Sequence, residues 1–246
     1  MNLFFPRILL FISVFGATQC FSQSDSSYRA EVTINMLNAY NSTLGVQSPL
    51  FNGKIHQPFP FSFTGSDHIY FISDYLSPGS VVYNGVLYEK LDLMYDLSRD
   101  ELVMRYDDEN SLVLDKSRVT SFSLLNHNFI KLSDTPSELN KEQYYDLQYD
   151  GAIKFLIKRK KNVTEPVPSK QTTPIGRIRS ITEYYIVKDS VFHLVKNKSS
   201  LLEILKQNNR ANKEYLKQNN QNFKKNAESM IAALVELYDK KFAGKK

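Results

Sequence analysis

The stretch "VVYNGVLYEKLDLMYDLSRDELVMRYDDENSLVL" (residues 81–114) decides the fold. Val81-Val82-Tyr83 and Val86-Leu87-Tyr88 flank Asn84-Gly85. Asn-Gly between two such runs marks a two-residue hairpin, because a type I′ turn needs positive φ at both central residues. Leu91, Leu93 and Tyr95 then continue a period-two alternation. Leu97-Ser98-Arg99-Asp100 reads as a turn, Leu102 to Tyr106 as a strand, Asp107 to Asn110 as a turn, and Leu112-Val113-Leu114 as a strand.

The part from Asn84 to Asn110 holds eight carboxylates, which raises catalysis and cation binding as alternatives to turn building. A calcium loop needs oxygen ligands at alternate positions, a central Gly and a Glu at the twelfth. Asp100, Glu101, Asp107, Asp108 and Glu109 do not have that spacing. They fall where the alternation puts turns, and Asp and Asn favour turns by bonding to nearby backbone N–H groups. Asp92 lies between Leu91 and Leu93 and is expected on the opposite face.

Working outward, Phe59, Phe61 and Phe63 alternate with Pro58, Pro60 and Ser62, which suits an edge strand. Ile69 to Ile72 reads as a short strand and Pro78-Gly79 as a turn, while residues 24–56 are polar and mixed. Downstream, Val119 to Leu125 and Phe129 to Leu132 are strands, followed by a polar break at 133–143. Tyr144 to Tyr149, Asp150-Gly151 and Ala152 to Lys158 form a second hairpin. Residues 162–175, with three prolines, read as a loop, and Ile178 to Val187, Lys188-Asp189-Ser190 and Val191 to Val195 as a third hairpin. About ten short strands joined by tight turns predict a mainly β fold with α. Its expected form is an antiparallel meander over 24–197, as a curved sheet, half-barrel or sandwich, followed by C-terminal helices.

The period then changes. Ser200-Leu201-Leu202-Glu203 has the form of a capping box, with Ser200 as cap. Leu205-Lys206-Gln207-Asn208-Asn209 recurs eleven residues later from Leu216, about three helical turns on. A last helix is predicted from Ala227 to Phe242, with Met230, Ile231, Leu234, Val235, Tyr238 and Phe242 as its apolar stripe. Residues 198–246 are thus read as a basic helical tail packed on the sheet.

The first 23 residues have the layout of a secretory signal: Arg7, an apolar run from Ile8 to Phe15, then small Gly16, Ala17 and Thr18. Cleavage is expected between Thr18 and Ser24. Cys20 is the single cysteine, and Gln19 before it fits a lipid-attachment signal poorly, so no anchor is expected there. With one cysteine, the fold has no disulfide and no cysteine-built zinc site. No later run is long and apolar enough to span a bilayer. The expected location is the periplasm or cell surface of a bacterium.

No nucleophile elbow, phosphate loop or zinc-binding helix motif is present. His56, His68, His127 and His193 are widely spaced, so no catalytic, cofactor or metal residue is assigned from sequence. From Lys196 to Lys246 there are twelve Lys/Arg against five Asp/Glu, so the tail carries more positive charge than the +5 of the whole chain. Lys158-Arg159-Lys160-Lys161, read as the end of a strand, adds a second basic patch. Anionic envelope components are the partner this suggests for the tail; nucleic acid is not expected for an exported chain.

Three stretches, "NGVLYEKLDLMYDLSRDELVM", "EYYIVKDSVFHLVKNKSSLLEIL" and "NNQNFKKNAESMIAALVELYD", resemble a loose group of exported bacterial proteins of unassigned function. The resemblance covers about residues 65–240. It implies export and a β meander with a helical tail, and it carries no activity. The expected role is a non-catalytic binding or structural module of the envelope. One alternative is a carrier of an apolar ligand, with Phe59, Phe61, Phe63, Tyr70 and Phe71 lining a curved sheet under the last helix. Another is an enzyme with dispersed carboxylates.

Overall fold

The computed structural model describes residues 48–132, 142–166, 174–205 and 223–243. The expected signal segment, the polar break apart from residues 142–143, part of the proline-containing loop, and the five-residue repeat apart from Leu205 lie outside them.

Twelve strands follow in chain order: β1 (Lys54–Ile55), β2 (Ser62–Phe63), β3 (Ser77–Tyr83), β4 (Val86–Asp96), β5 (Glu101–Arg105), β6 (Ser111–Val113), β7 (Val119–Leu124), β8 (His127–Ile130), β9 (Tyr145–Asp150), β10 (Lys154–Thr164), β11 (Ile175–Lys188) and β12 (Val191–Leu194). Helices α1 (Lys198–Ile204) and α2 (Phe223–Ala243) close the described chain. The sheet order is β1-β6-β5-β4-β3-β7-β8-β9-β10-β11-β12, and every pairing along it is antiparallel. The fold is therefore mainly β with α, as the alternation predicts.

The meander has one interruption. After β6 the chain returns across three strands and resumes at β7 beside β3. A flat sheet would put β7 about 19 Å from β6, at about 4.8 Å per strand. The five-residue link reaches about 20 Å only if fully extended. It is not extended, because Arg118 N–H donates to Asp115 O at 3.0 Å. The sheet must curl, and further bonds show how far. Phe71 N–H donates to Tyr95 O, Leu97 N–H to Ile69 O, and Lys161 N–H to Leu97 O at 3.2 Å. The end of β4 is thereby joined through residues 68–71 and Lys161 to β10, five places along the sheet order.

One face of this sheet is covered in two ways. Toward the β3–β8 side the curl encloses its own side chains: Val81, Tyr95, Phe122, Phe129, Phe71 and Tyr144 are buried together, and Phe122 stacks on Phe129 at 4.6 Å. Toward β10–β12, Phe155, Ile157 and Ile186 pack beneath Leu201 and Leu205 at the α1 end and Met230, Ile231, Leu234 and Val235 of α2. Each such burial contributes about 1.5–3 kcal/mol.

Several expectations are corrected. Ile69 to Ile72 is not a strand; Tyr70 makes one isolated bridge to Asp96, and Ile72 has φ 54°. The Phe-Pro alternation yields only β2, which pairs in parallel with Ile175-Gly176, since Pro58 and Pro60 have no N–H to donate. Phe59, Phe61 and Phe63 form a partly exposed cluster of their own outside the enclosed core, and α2 covers β9–β10, not those rings. Asp150-Gly151 is not a two-residue turn: Asp150 pairs with Lys154 around three residues, and Gly151 has no positive φ. The loop read at 162–175 is shorter, because β10 and β11 stay paired out to Thr164 and Arg177. The cap of α1 is Asn197, whose Oδ1 accepts from Ser200 N–H at 2.9 Å while Ser200 Oγ accepts from Asn197 N–H at 3.0 Å. Ser200 is thus the third helical residue and not the cap, because Lys198 and Ser199 already have helical geometry. In α2, Asn226 departs from helical geometry, and the expected start at Ala227 is the first residue after that break.

Among the described residues three hairpin turns place two successive residues at positive φ: Asn84-Gly85, Leu125-Asn126 and Asp189-Ser190. Only the first uses the residue that tolerates it freely. Replacing exposed Ser190 (φ 61°) by Gly removes strain of about 1 kcal/mol. The denaturation midpoint of Ser190→Gly is expected to rise, with an unchanged denaturant slope.

Candidate functional site

The acids of the opening stretch build the walls of the site. Asp96, fully buried, ends β4 and accepts from Ser98 N–H at 2.8 Å, Ser98 Oγ–H at 2.6 Å and Arg99 N–H at 3.2 Å through one oxygen. That fixes the 97–100 turn. Asp100, at φ 57°, then receives Tyr95 O–H at 2.5 Å and Lys116 Nζ–H at 2.5 Å, one on each oxygen. Asp107 and Asp115 cap their own turns, and Asp92 pairs with Arg105 across the outer face at 2.9 Å. Bonds from the Asn110 side chain and from backbone N–H groups hold the Asp107 carboxyl below its ordinary value. The acids do not converge on one point, and no group of three or more metal-ligating side chains occurs among the described residues.

Beside that turn β10 has an open edge. β9 pairs with β10 only over Lys154 to Ile157. Beyond it the edge of Lys158, Arg159 and Lys160 faces residues 97–100 across a cleft of about 190 Å³. Lys116, Gln143 and Tyr144 complete the lining. Two neighbouring depressions of about 430 and 440 Å³ share Arg99 with it and reach Lys54.

The cleft is cationic, and its cations differ in how far they are engaged. Arg159 is committed: it donates to Asp146 through Nε and Nη2 and to Glu228 of α2 through Nη1 and Nη2, at 2.8–3.1 Å. Burial alone would lower its pKa, but the bonds to Glu228 and Asp146 outweigh that and raise it. Lys158 stands 3.9 Å from Glu183. Arg99 lies over the Phe59 ring at 4.3 Å, donates to Gln57 O at 2.8 Å and stands 3.7 Å from the buried Asp96 carboxylate, so its charge is partly compensated. Lys160 is exposed and has no carboxylate partner among the described residues.

The polar floor is incomplete. Tyr144 is only 2% exposed, and its hydroxyl has no hydrogen-bond partner among the described residues. Gln143 Oε1 beside it is likewise buried without a partner. The Tyr144 ring is held between two ammonium groups, Lys116 at 5.4 Å and Lys131 at 5.5 Å. Burial first, and then Asp100, raise the Tyr144 pKa far above the ordinary phenol value, so the hydroxyl stays protonated.

The sequence singled out no site residue, and its basic run is re-read here. Lys158 to Lys161 do not end a strand but lie within β10 on alternating faces. Arg159 and Lys161 turn inward, Lys161 Nζ donating to His68 O at 2.6 Å and Tyr70 O at 2.8 Å, while Lys160 remains exposed. Arg99, Lys116, Gln143 and Tyr144 carried no linear signal; three separate turns and strand ends bring them together. Two histidines, His56 and His68, pack against the Tyr70 ring at 6.0 and 6.3 Å, His56 Nε2 lying 3.0 Å from Tyr70 Oη; His127 Nδ1 lies 2.9 Å from Asp146 Oδ2, and His193 is on β12. Burial is the first cause of a lowered pKa at His56.

Asp146 is fully buried in a row of cross-strand neighbours that is otherwise apolar, between Phe129 and Ile157. Asp146→Ala leaves Arg159 with Glu228 as its remaining carboxylate partner and is expected to cost about 2–3 kcal/mol by chemical denaturation, the loss of its charged hydrogen bonds to Asp146. Glu228→Gln, at a partly exposed position, is expected to cost less than half of that. No family model, curated protein or solved structure matches this chain.

Proposed function

We propose that the protein is a non-catalytic binding module of the bacterial cell envelope that holds an anionic group in the cleft between β10 and the 97–100 turn. The observation that carries this reading is the convergence of Arg99, Lys116, Lys158, Arg159 and Lys160 on a cleft whose lining holds one carboxylate, Asp100. At about 190 Å³ the cleft is smaller than the roughly 300–1,000 Å³ of a drug-sized pocket, so it suits one carboxylate, sulfate or phosphate group with its carrier ring. Both oxygens of Asp100, the one carboxylate in the lining, are engaged by Tyr95 and Lys116, which supports binding over acid–base chemistry. The signal-like first 23 residues support export.

Titration calorimetry with sulfate, phosphate and galacturonate tests the reading. Arg99→Gln and Lys116→Gln are each expected to weaken binding about tenfold, the loss of one charge-assisted bond. Tyr144→Phe is expected to leave stability equal or higher in chemical denaturation, since it removes a buried unpartnered hydroxyl. Absence of binding for all three anions, or turnover of glycans, esters or peptides by the purified protein, overturns the proposal.

A further inference from the structure

Beyond Ile157, β10 and β11 continue as a two-stranded ribbon paired from Lys158↔Glu183 to Thr164↔Arg177. Residues directly opposite in such a ribbon share a face, and alternate residues along each strand return to it. One face therefore holds Lys158, Lys160, Arg179 and Arg177 in consecutive pair positions, with Asn162 and Thr164 beside the two arginines. The other face is occupied: Arg159 reaches Asp146 and Glu228, Lys161 reaches the 68–70 backbone, and Gly176 lies against Phe61 and Phe63. On the first face Lys160, Asn162, Thr164, Arg177 and Arg179 are all exposed.

The spacing makes this face a track. Two residues of strand advance about 6.7 Å, so the four cations span about 20 Å in near-equal steps. The acids beside it are Glu183, which lies near Lys158 at one end, and Glu165 beyond Thr164 at the other. Between them Lys160, Arg179 and Arg177 have no carboxylate partner among the described residues. A free ammonium or guanidinium series of this kind complements a chain with repeated anionic groups. Single-stranded nucleic acid sites pair such cations with aromatic platforms, and this face has none. It offers Asn162 and Thr164, whose amide and hydroxyl suit hydroxyl-bearing sugars. Lys158 and Lys160 also line the cleft, so track and cleft are continuous.

We infer that the outer face of the β10–β11 ribbon binds a linear acidic polysaccharide whose terminal acidic residue sits in the cleft. The terminal placement rests on the cleft reading above; the track rests on the ribbon alone. The test compares galacturonate, hexagalacturonate, uncharged cellohexaose and a single-stranded oligodeoxynucleotide of matched charge by calorimetry on the full protein. Hexagalacturonate is expected to bind at least about tenfold tighter than the monomer, because linked groups bind at high effective concentration. Arg177→Gln/Arg179→Gln is expected to erase that gain and leave the monomer affinity unchanged; Arg177→Glu/Arg179→Glu, also at exposed positions, should reverse it. Cellohexaose should not bind. The inference is overturned by equal affinity for monomer and hexamer, by a length gain that survives both double variants, by cellohexaose binding as tightly as hexagalacturonate, or by tighter binding of the oligodeoxynucleotide. Hexamer binding that depends on Arg177 and Arg179 without any monomer binding would sustain the track and remove the cleft reading. Monomer binding that depends on Lys116 without a length gain would do the reverse.

Discussion

The Arg159 guanidinium is the junction on which the two halves of the core depend. It bonds Asp146 on β9 and Glu228 on α2, and lies over the Phe71 ring at 5.6 Å. Asp146 in turn receives Gln148 Nε2–H at 2.7 Å and faces His127. A buried charge costs several kcal/mol to desolvate, and only a nearly complete set of bonds offsets that. With the set in place, the curled β3–β8 side and the helix-covered β10–β12 side stay in one register. An apolar pair of similar volume could fill the space as stably, but it would not fix which residue of α2 meets which residue of β10.

A second clasp works at the other end of α2. Asp239 accepts from Tyr149 O–H at 2.9 Å and Ala152 N–H at 3.2 Å. A Cβ on Gly151 would come within 2.1 Å of Asp239 Oδ2, so glycine serves close approach there and not a tight turn. The two clasps pin the helix along β9 and β10, and this frees the outer ribbon from any part in covering the core. The cations at 160, 177 and 179 are therefore exposed and Lys158 partly so beside Glu183, while those at 159 and 161 are engaged on the inner face.

How much of this was legible follows from range. The hairpins at Asn84-Gly85 and Asp189-Ser190 could be read because turn chemistry and alternation are local. The stripe of α2 could be read because its period is local. The return from β6 to β7 could not, since it depends on how strongly the whole sheet curls. The failure at Ile69 to Ile72 has the same origin: four apolar residues in a row look like a strand, yet here they bridge β4 and β10, two strands that the curl of the sheet brings together. Phe59, Phe61 and Phe63 misled for a related reason, because a period of two says that residues share a face without saying which face is buried.

The sequence by itself determined strand order within each hairpin, the helical tail and the role of the acids as turn builders, because each rests on contacts a few residues apart. Only the tertiary structure decided that Arg99, Lys116, Gln143 and Tyr144 share a cleft, and that the basic run of β10 divides into two inward and two outward cations. Those facts depend on sheet curvature and on pairing register, which are set jointly by strands far apart in the chain.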